Sequence, residues 1–136
     1  MSEAVKKERP QFRNIHITQI VRYRMPLAAI VSILHRVSGA LIFLLLPFIL
    51  FLLDKSLTSE ISFDYFKGFL SLWFVKLVVL ALSWGYLHHF CAGIRHLLLD
   101  VHVAGTKEGA RKTAVATLGV SLFLTALVAL KLFGAF

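Results

Sequence analysis

The chain has 136 residues, 58% of them hydrophobic, and a formal net charge of +8. At a mean hydropathy of +0.79 it is too apolar for an ordinary soluble domain, and its apolar residues gather into long runs. The charge is not a nucleic-acid footprint, because basic residues cluster at the ends of those runs, where membrane proteins carry them.

Residues 1–16 read as a polar arm in which Arg9-Pro10 disfavours helix. With Glu3 and Glu8 it resembles neither a signal peptide nor an acid-poor transit peptide, which favours a bacterial inner-membrane protein. Over 17–25, apolar and basic residues mix as in a short interfacial segment. Span one is expected at 27–53, with Pro47 a kink that neighbouring helices accommodate. A short outer loop is expected at 54–67, span two at 68–100, a turn with Gly105 and Gly109 at 101–112, and span three at 113–132. Each run reaches the roughly 18 residues that suffice to cross a bilayer as a helix. The expected fold is an all-α membrane protein, a single membrane-anchor domain over 1–136 with three transmembrane helices after the arm and interfacial segment.

Charge sets the expected orientation. Lys6, Lys7, Arg9, Arg13, Arg22 and Arg24 precede span one, and Arg95, Lys107, Arg111 and Lys112 lie near or within the second connection. The first connection is slightly acidic, with Asp54, Lys55, Glu60, Asp64 and Lys67. The positive-inside rule then puts the N-terminus in the cytoplasm and the C-terminus in the periplasm. Lys76 and Lys131 fall near the outer boundary, where snorkelling accounts for them. Cys91, the single cysteine, excludes an intrachain disulfide and reads as a small apolar residue.

Two polar clusters interrupt the apolar runs: Ser32-Ile33-Leu34-His35-Arg36, and His88-His89 followed by Gly93-Ile94-Arg95-His96. Ionisable residues in a membrane span are costly and mark candidate functional sites. His35 lies 19 residues before Asp54 and His89 lies 21 after Gly68. At 1.5 Å per residue both fall ~30 Å from the outer face, at the inner boundary of the bilayer. Ser32, His35 and Arg36 share one helical face; His89, Gly93, His96 and Asp100 share another; His88 and Arg95 lie on an adjacent one.

A histidine one turn from a glycine suits axial ligation of a haem, and bis-imidazole ligation favours electron transfer. His89 is preferred over His88 because it shares a face with Gly93, which admits another helix or a flat cofactor. The alternatives from chemistry alone are structural hydrogen bonding by the histidines, anchoring by Arg36 and Arg95, and back-bonding of Ser32 to its own helix.

At these residues the chain resembles a known family. Ser32-Ile-Leu-His35-Arg36-Val-Ser38-Gly39 is similar to the S-x-x-H-R-x-S-G motif of cytochrome b membrane-anchor subunits of succinate dehydrogenase (complex II). His89, Gly93, Arg95, His96 and Asp100 follow that family's second signature, H-x3-G-x-R-H-x3-D. The segment from Gln11 to His16 departs from a pattern of some members, and His16 is given no role.

The resemblance implies a non-dehydrogenase subunit of succinate:ubiquinone oxidoreductase. A flavoprotein, an iron–sulfur subunit and a smaller haem-sharing anchor would be its partners, with membrane lipid around it and no nucleic acid. It implies His89 as an axial ligand of haem b, Ser32 and Arg36 at ubiquinone, and His35, Arg36 and His96 near the haem propionates. Asp100 is a weaker carry-over near the quinone. The alternatives are a fumarate reductase anchor and a non-redox helical scaffold or transporter subunit.

Overall fold

The computed structural model describes residues 16–134; the polar arm up to residue 15, with Arg9-Pro10, lies outside them. The described chain is helical throughout: α1 Ile17–Arg22, α2 Leu27–Thr58, α3 Glu60–Ser71, α4 Trp73–Asp100 and α5 Lys107–Leu132. Helices α2, α4 and α5 are long and apolar enough to cross a membrane. At 32, 28 and 26 residues they exceed what a hydrocarbon core of about 30 Å requires. Helix α2 passes through Pro47 without a break.

The first connection differs from expectation. The loop expected at 54–67 is helical: α2 runs on to Thr58 and α3 fills Glu60–Ser71. The reason is a cap. Ser59 is extended, its hydroxyl accepts from the Ser62 backbone N–H at 3.2 Å, and the Ser62 hydroxyl accepts from the Ser59 N–H at 3.2 Å. This is a capping box with serine in place of the usual glutamate or glutamine, so the sequence carries no obvious helix-start signal there. Gly68, the expected start of span two, lies inside α3, and the chain breaks instead at the extended Leu72 before α4. At the other end His16 caps α1, its Nδ1 3.0 Å from the Thr18 hydroxyl and its N–H donating to Gln19 Oε1 at 3.2 Å.

Helices α2, α4 and α5 pack on one another as an antiparallel bundle. Lys76, near the start of α4, places its Nζ 5.7 Å from the ring centre of Phe133 at the end of α5. His35, early in α2, meets His89 and His96, late in α4. Apart from His88 and Arg95, the buried residues of the bundle are small. Val31, Ala92 and Ala114 are fully buried, and α5 contributes the buried Thr117 and Ser121.

The hydroxyls of Thr117, Ser121 and Thr125 donate to carbonyls of their own helix at 2.9, 3.1 and 2.7 Å. Satisfied within α5, these residues let a neighbouring helix approach as closely as alanines would. The large side chains point outward instead, Phe43 at 74% and Leu44 at 72% exposure. For a spanning helix that surface faces lipid or a partner helix.

The α4–α5 turn is tight. His102 and Ala104 adopt left-handed backbone, φ 62° and 67°. A Cβ on Gly109 would come within 2.9 Å of the Ala104 Cα, so glycine lets the first turn of α5 close against that bend.

Candidate functional site

Helix α4 carries two polar faces with different surroundings. Trp84, His88, Ala92 and Arg95 follow one another at helical spacing and turn into the bundle. His88 is 1% exposed and Arg95 4%. The Arg95 Nε donates to the Thr113 hydroxyl at 3.2 Å and its Nη2 to the Ala110 carbonyl at 3.4 Å, which ties α4 to α5. His88 lies 5.5 Å from the Trp84 ring, centre to centre. Trp84 Nε1 and Arg95 Nη1 are buried without a hydrogen-bond partner among the described residues, and the His88 ring faces the Val31 backbone of α2. This face is closed.

The other face is open. His89 and His96 are half-buried and look toward α2, where His35 stands between them. The His35 and His89 rings stack at 4.2 Å with 10° between their planes, and His35 meets His96 at 4.9 Å and 44°. The matching depths inferred from helix length are thus a direct contact, although the outer boundaries used to infer them have moved. Asp100 ends α4 one turn beyond His96 and is exposed.

On α2, Ser32 and Arg36 lie within one turn of His35 and remain uncommitted. The Ser32 hydroxyl makes no hydrogen bond among the described residues, and the exposed Arg36 guanidinium makes neither a hydrogen bond nor an ion pair there. Back-bonding, one alternative for Ser32, belongs to Ser38, whose hydroxyl donates to the His35 carbonyl at 3.0 Å.

Two expectations about glycine and histidine change their reasons. A Cβ on Gly93 would sit 3.6 Å from His35 Nε2, an ordinary contact, so the space beside Gly93 takes a side chain of α2. The demanding position is Gly39, where a Cβ would fall 2.7 Å from His89 Cε1 and 3.2 Å from its Nδ1. His89 is set apart from His88 by burial rather than by Gly93: His88 is enclosed in the bundle and His89 is not. Ser38, Gly39 and Thr113 are structural contributors that residue typing missed. Ser38-Gly39 closes the first motif and could have been noticed; Thr113 carries no local signal.

The donor set fits a haem. The His89 Nδ1 lies 3.0 Å from the His35 carbonyl oxygen, and no hydrogen bond to Nε2 occurs among the described residues. An imidazole held at one nitrogen and open at the other is the arrangement axial ligation uses.

The chain belongs to the succinate dehydrogenase/fumarate reductase transmembrane subunit family, whose model matches residues 6–128. It is similar to the succinate dehydrogenase cytochrome b556 subunit of Coxiella burnetii, 37% identical over 84 residues, covering 60% of this chain and 66% of the relative. The subunit of the same name from Paracoccus denitrificans is 30% identical over 111 residues, covering 82% and 85%. That of Rickettsia felis is 26% identical over 106 residues, covering 78% and 82%.

Proposed function

We propose that this chain is a single-domain membrane anchor of a succinate:ubiquinone oxidoreductase, passing electrons from an iron–sulfur subunit to ubiquinone. The observation that carries the reading is the cluster at one end of the bundle. Three histidines from two helices meet there on an open face, beside a serine hydroxyl and a guanidinium with no commitments of their own. Family membership and the cytochrome b556 names of its relatives support haem b at His89. They also favour this reading over a non-redox scaffold or transporter subunit.

Each residue has a task in this reading. His89 would hold the iron of a haem shared with a smaller anchor subunit. When bound, the haem would supply one-electron exchange. His35, Arg36 and His96 present hydrogen-bond donors to the propionates. Ser32 donates to a quinone carbonyl, and Arg36 stabilises the negative charge that develops there on reduction.

Reducing a quinone consumes two protons with two electrons, so the head group must meet water while its tail stays in lipid. A site at the inner boundary, with the N-terminus cytoplasmic and the C-terminus periplasmic, provides both. Asp100, exposed at the end of α4, stands where a proton could enter. The membrane is the bacterial inner membrane, and the dehydrogenase chemistry belongs to the flavoprotein partner.

Purification of the native complex tests this reading. The chain is expected to bring a flavoprotein, an iron–sulfur protein and a smaller helical subunit, with a b-type haem band after dithionite reduction. Absence of that band refutes the haem assignment, and preference for a low-potential quinol would instead make the chain a fumarate reductase anchor.

A further inference from the structure

The motif residues Ser38 and Gly39 have no task in the function above, yet they surround the proposed ligand. The His35 carbonyl lies 3.0 Å from His89 Nδ1 and 3.0 Å from the Ser38 hydroxyl, which itself lies 3.4 Å from that Nδ1. A carbonyl oxygen only accepts, so an Nδ1 at this distance must carry the proton. In a neutral imidazole the lone pair is then on Nε2, the nitrogen that makes no hydrogen bond here. Gly39 lies directly beneath the ring, and any Cβ there would push it off the carbonyl. Ser38 is 7% exposed, so water does not compete freely for this arrangement.

We propose that Ser38, Gly39 and the backbone carbonyl of His35 form a seat on α2 that fixes the tautomer and tilt of His89 and tunes its strength as an iron ligand. The proposal rests on His89 being the haem ligand. Ser38 and Gly39 are positioning residues: neither touches iron or quinone. Outer-shell hydrogen bonds of this kind set the basicity and orientation of metal-bound imidazoles. The Ser38 hydroxyl shares the acceptor with Nδ1–H. Removing it strengthens the imidazole–carbonyl bond, makes the ligand more electron-donating and favours ferric over ferrous iron.

The test compares assembled complexes carrying Gly39→Ala, Ser38→Ala and, as reference, His89→Ala. Flavin content reports assembly. Haem per flavin, the low-spin EPR signal and the haem midpoint potential report the ligand. Gly39→Ala is expected to lower haem per flavin severalfold, or to shift the EPR signal of the haem that remains. Ser38→Ala is expected to retain haem with a lowered midpoint potential, and Ser38→Thr, which keeps a hydroxyl, to restore it. Should Gly39→Ala fail to assemble, Ser38→Ala decides. Wild-type haem content, EPR signal and potential in either assembled variant overturn the seat. Haem retained in His89→Ala with the wild-type EPR signal and potential overturns the ligand reading itself, which separates the two failures.

Discussion

His88 and His89 are neighbours in sequence and opposites in the fold. His88 is enclosed with Trp84 and Arg95 between the helices of the bundle, its ring against the Val31 backbone of α2, whereas His89 stands half-open against His35 and the carbonyl of α2. Arg95 and His96 repeat the contrast two turns on: the arginine binds Thr113 within the bundle, and the histidine joins the open cluster. Polar residues in a membrane helix therefore do not share one meaning. Those turned inward couple helices, and those turned along the open seam remain available to a ligand.

The same substitution at the two histidines should break the comparison most sharply. His89→Leu is expected to abolish the reduced b-type haem band of the assembled complex. His88→Leu is expected to keep the band and to lower stability by about 1 kcal/mol, since it removes the contact of the buried ring with the Val31 backbone of α2. Equal loss of haem in both would erase the distinction. Absorption spectra and thermal melting of the complex read the two effects.

The open face of α2 predicts the next largest effects. Arg36→Leu should lower succinate–quinone turnover by about 10²-fold, as removal of a preorganised charge-stabilising donor does. Ser32→Ala should lower it by about tenfold, the value of one hydrogen bond. Both should spare succinate oxidation with a soluble acceptor; parallel loss of that activity would indicate failed assembly.

Within the bundle, Arg95→Leu should destabilise the complex by about 1–3 kcal/mol through loss of its bonds to Thr113 and Ala110, without altering the haem spectrum. A shifted spectrum would mean that Arg95 serves the open face after all. The smallest effect is expected in the turn: Ala104→Gly should raise stability by about 1 kcal/mol by relieving left-handed backbone, visible as a higher melting temperature.

Hydropathy alone located the three long helices, because any apolar run of that length must satisfy its backbone internally and does so as helix. It failed between 54 and 72, where a serine-only capping box and the break at Leu72 turned an expected loop into α3. Those features depend on hydroxyl geometry and on ψ, neither of which residue type specifies. In the site, spacing placed Ser32, His35 and Arg36 on one face and His89 and His96 on another, since periodicity is a local property of a helix.

What residue spacing could not decide was which face of α4 meets which neighbour. Gly93 was singled out as the place of close approach, yet the tightest fit lies at Gly39, on the other helix. That relation joins residues 39 and 89, as the hydrogen bond of His89 to the His35 carbonyl joins 89 and 35. The sequence by itself determined three apolar spans and the helical faces their polar residues occupy, as consequences of composition and period, and its resemblance to a family gave the two motifs. Only the tertiary structure decided that His88 is sealed in, that Arg95 ties α4 to α5, and that α2 holds the His89 ring. Each of these depends on the rotation of one helix about its axis relative to the next, which side-chain packing between distant segments sets.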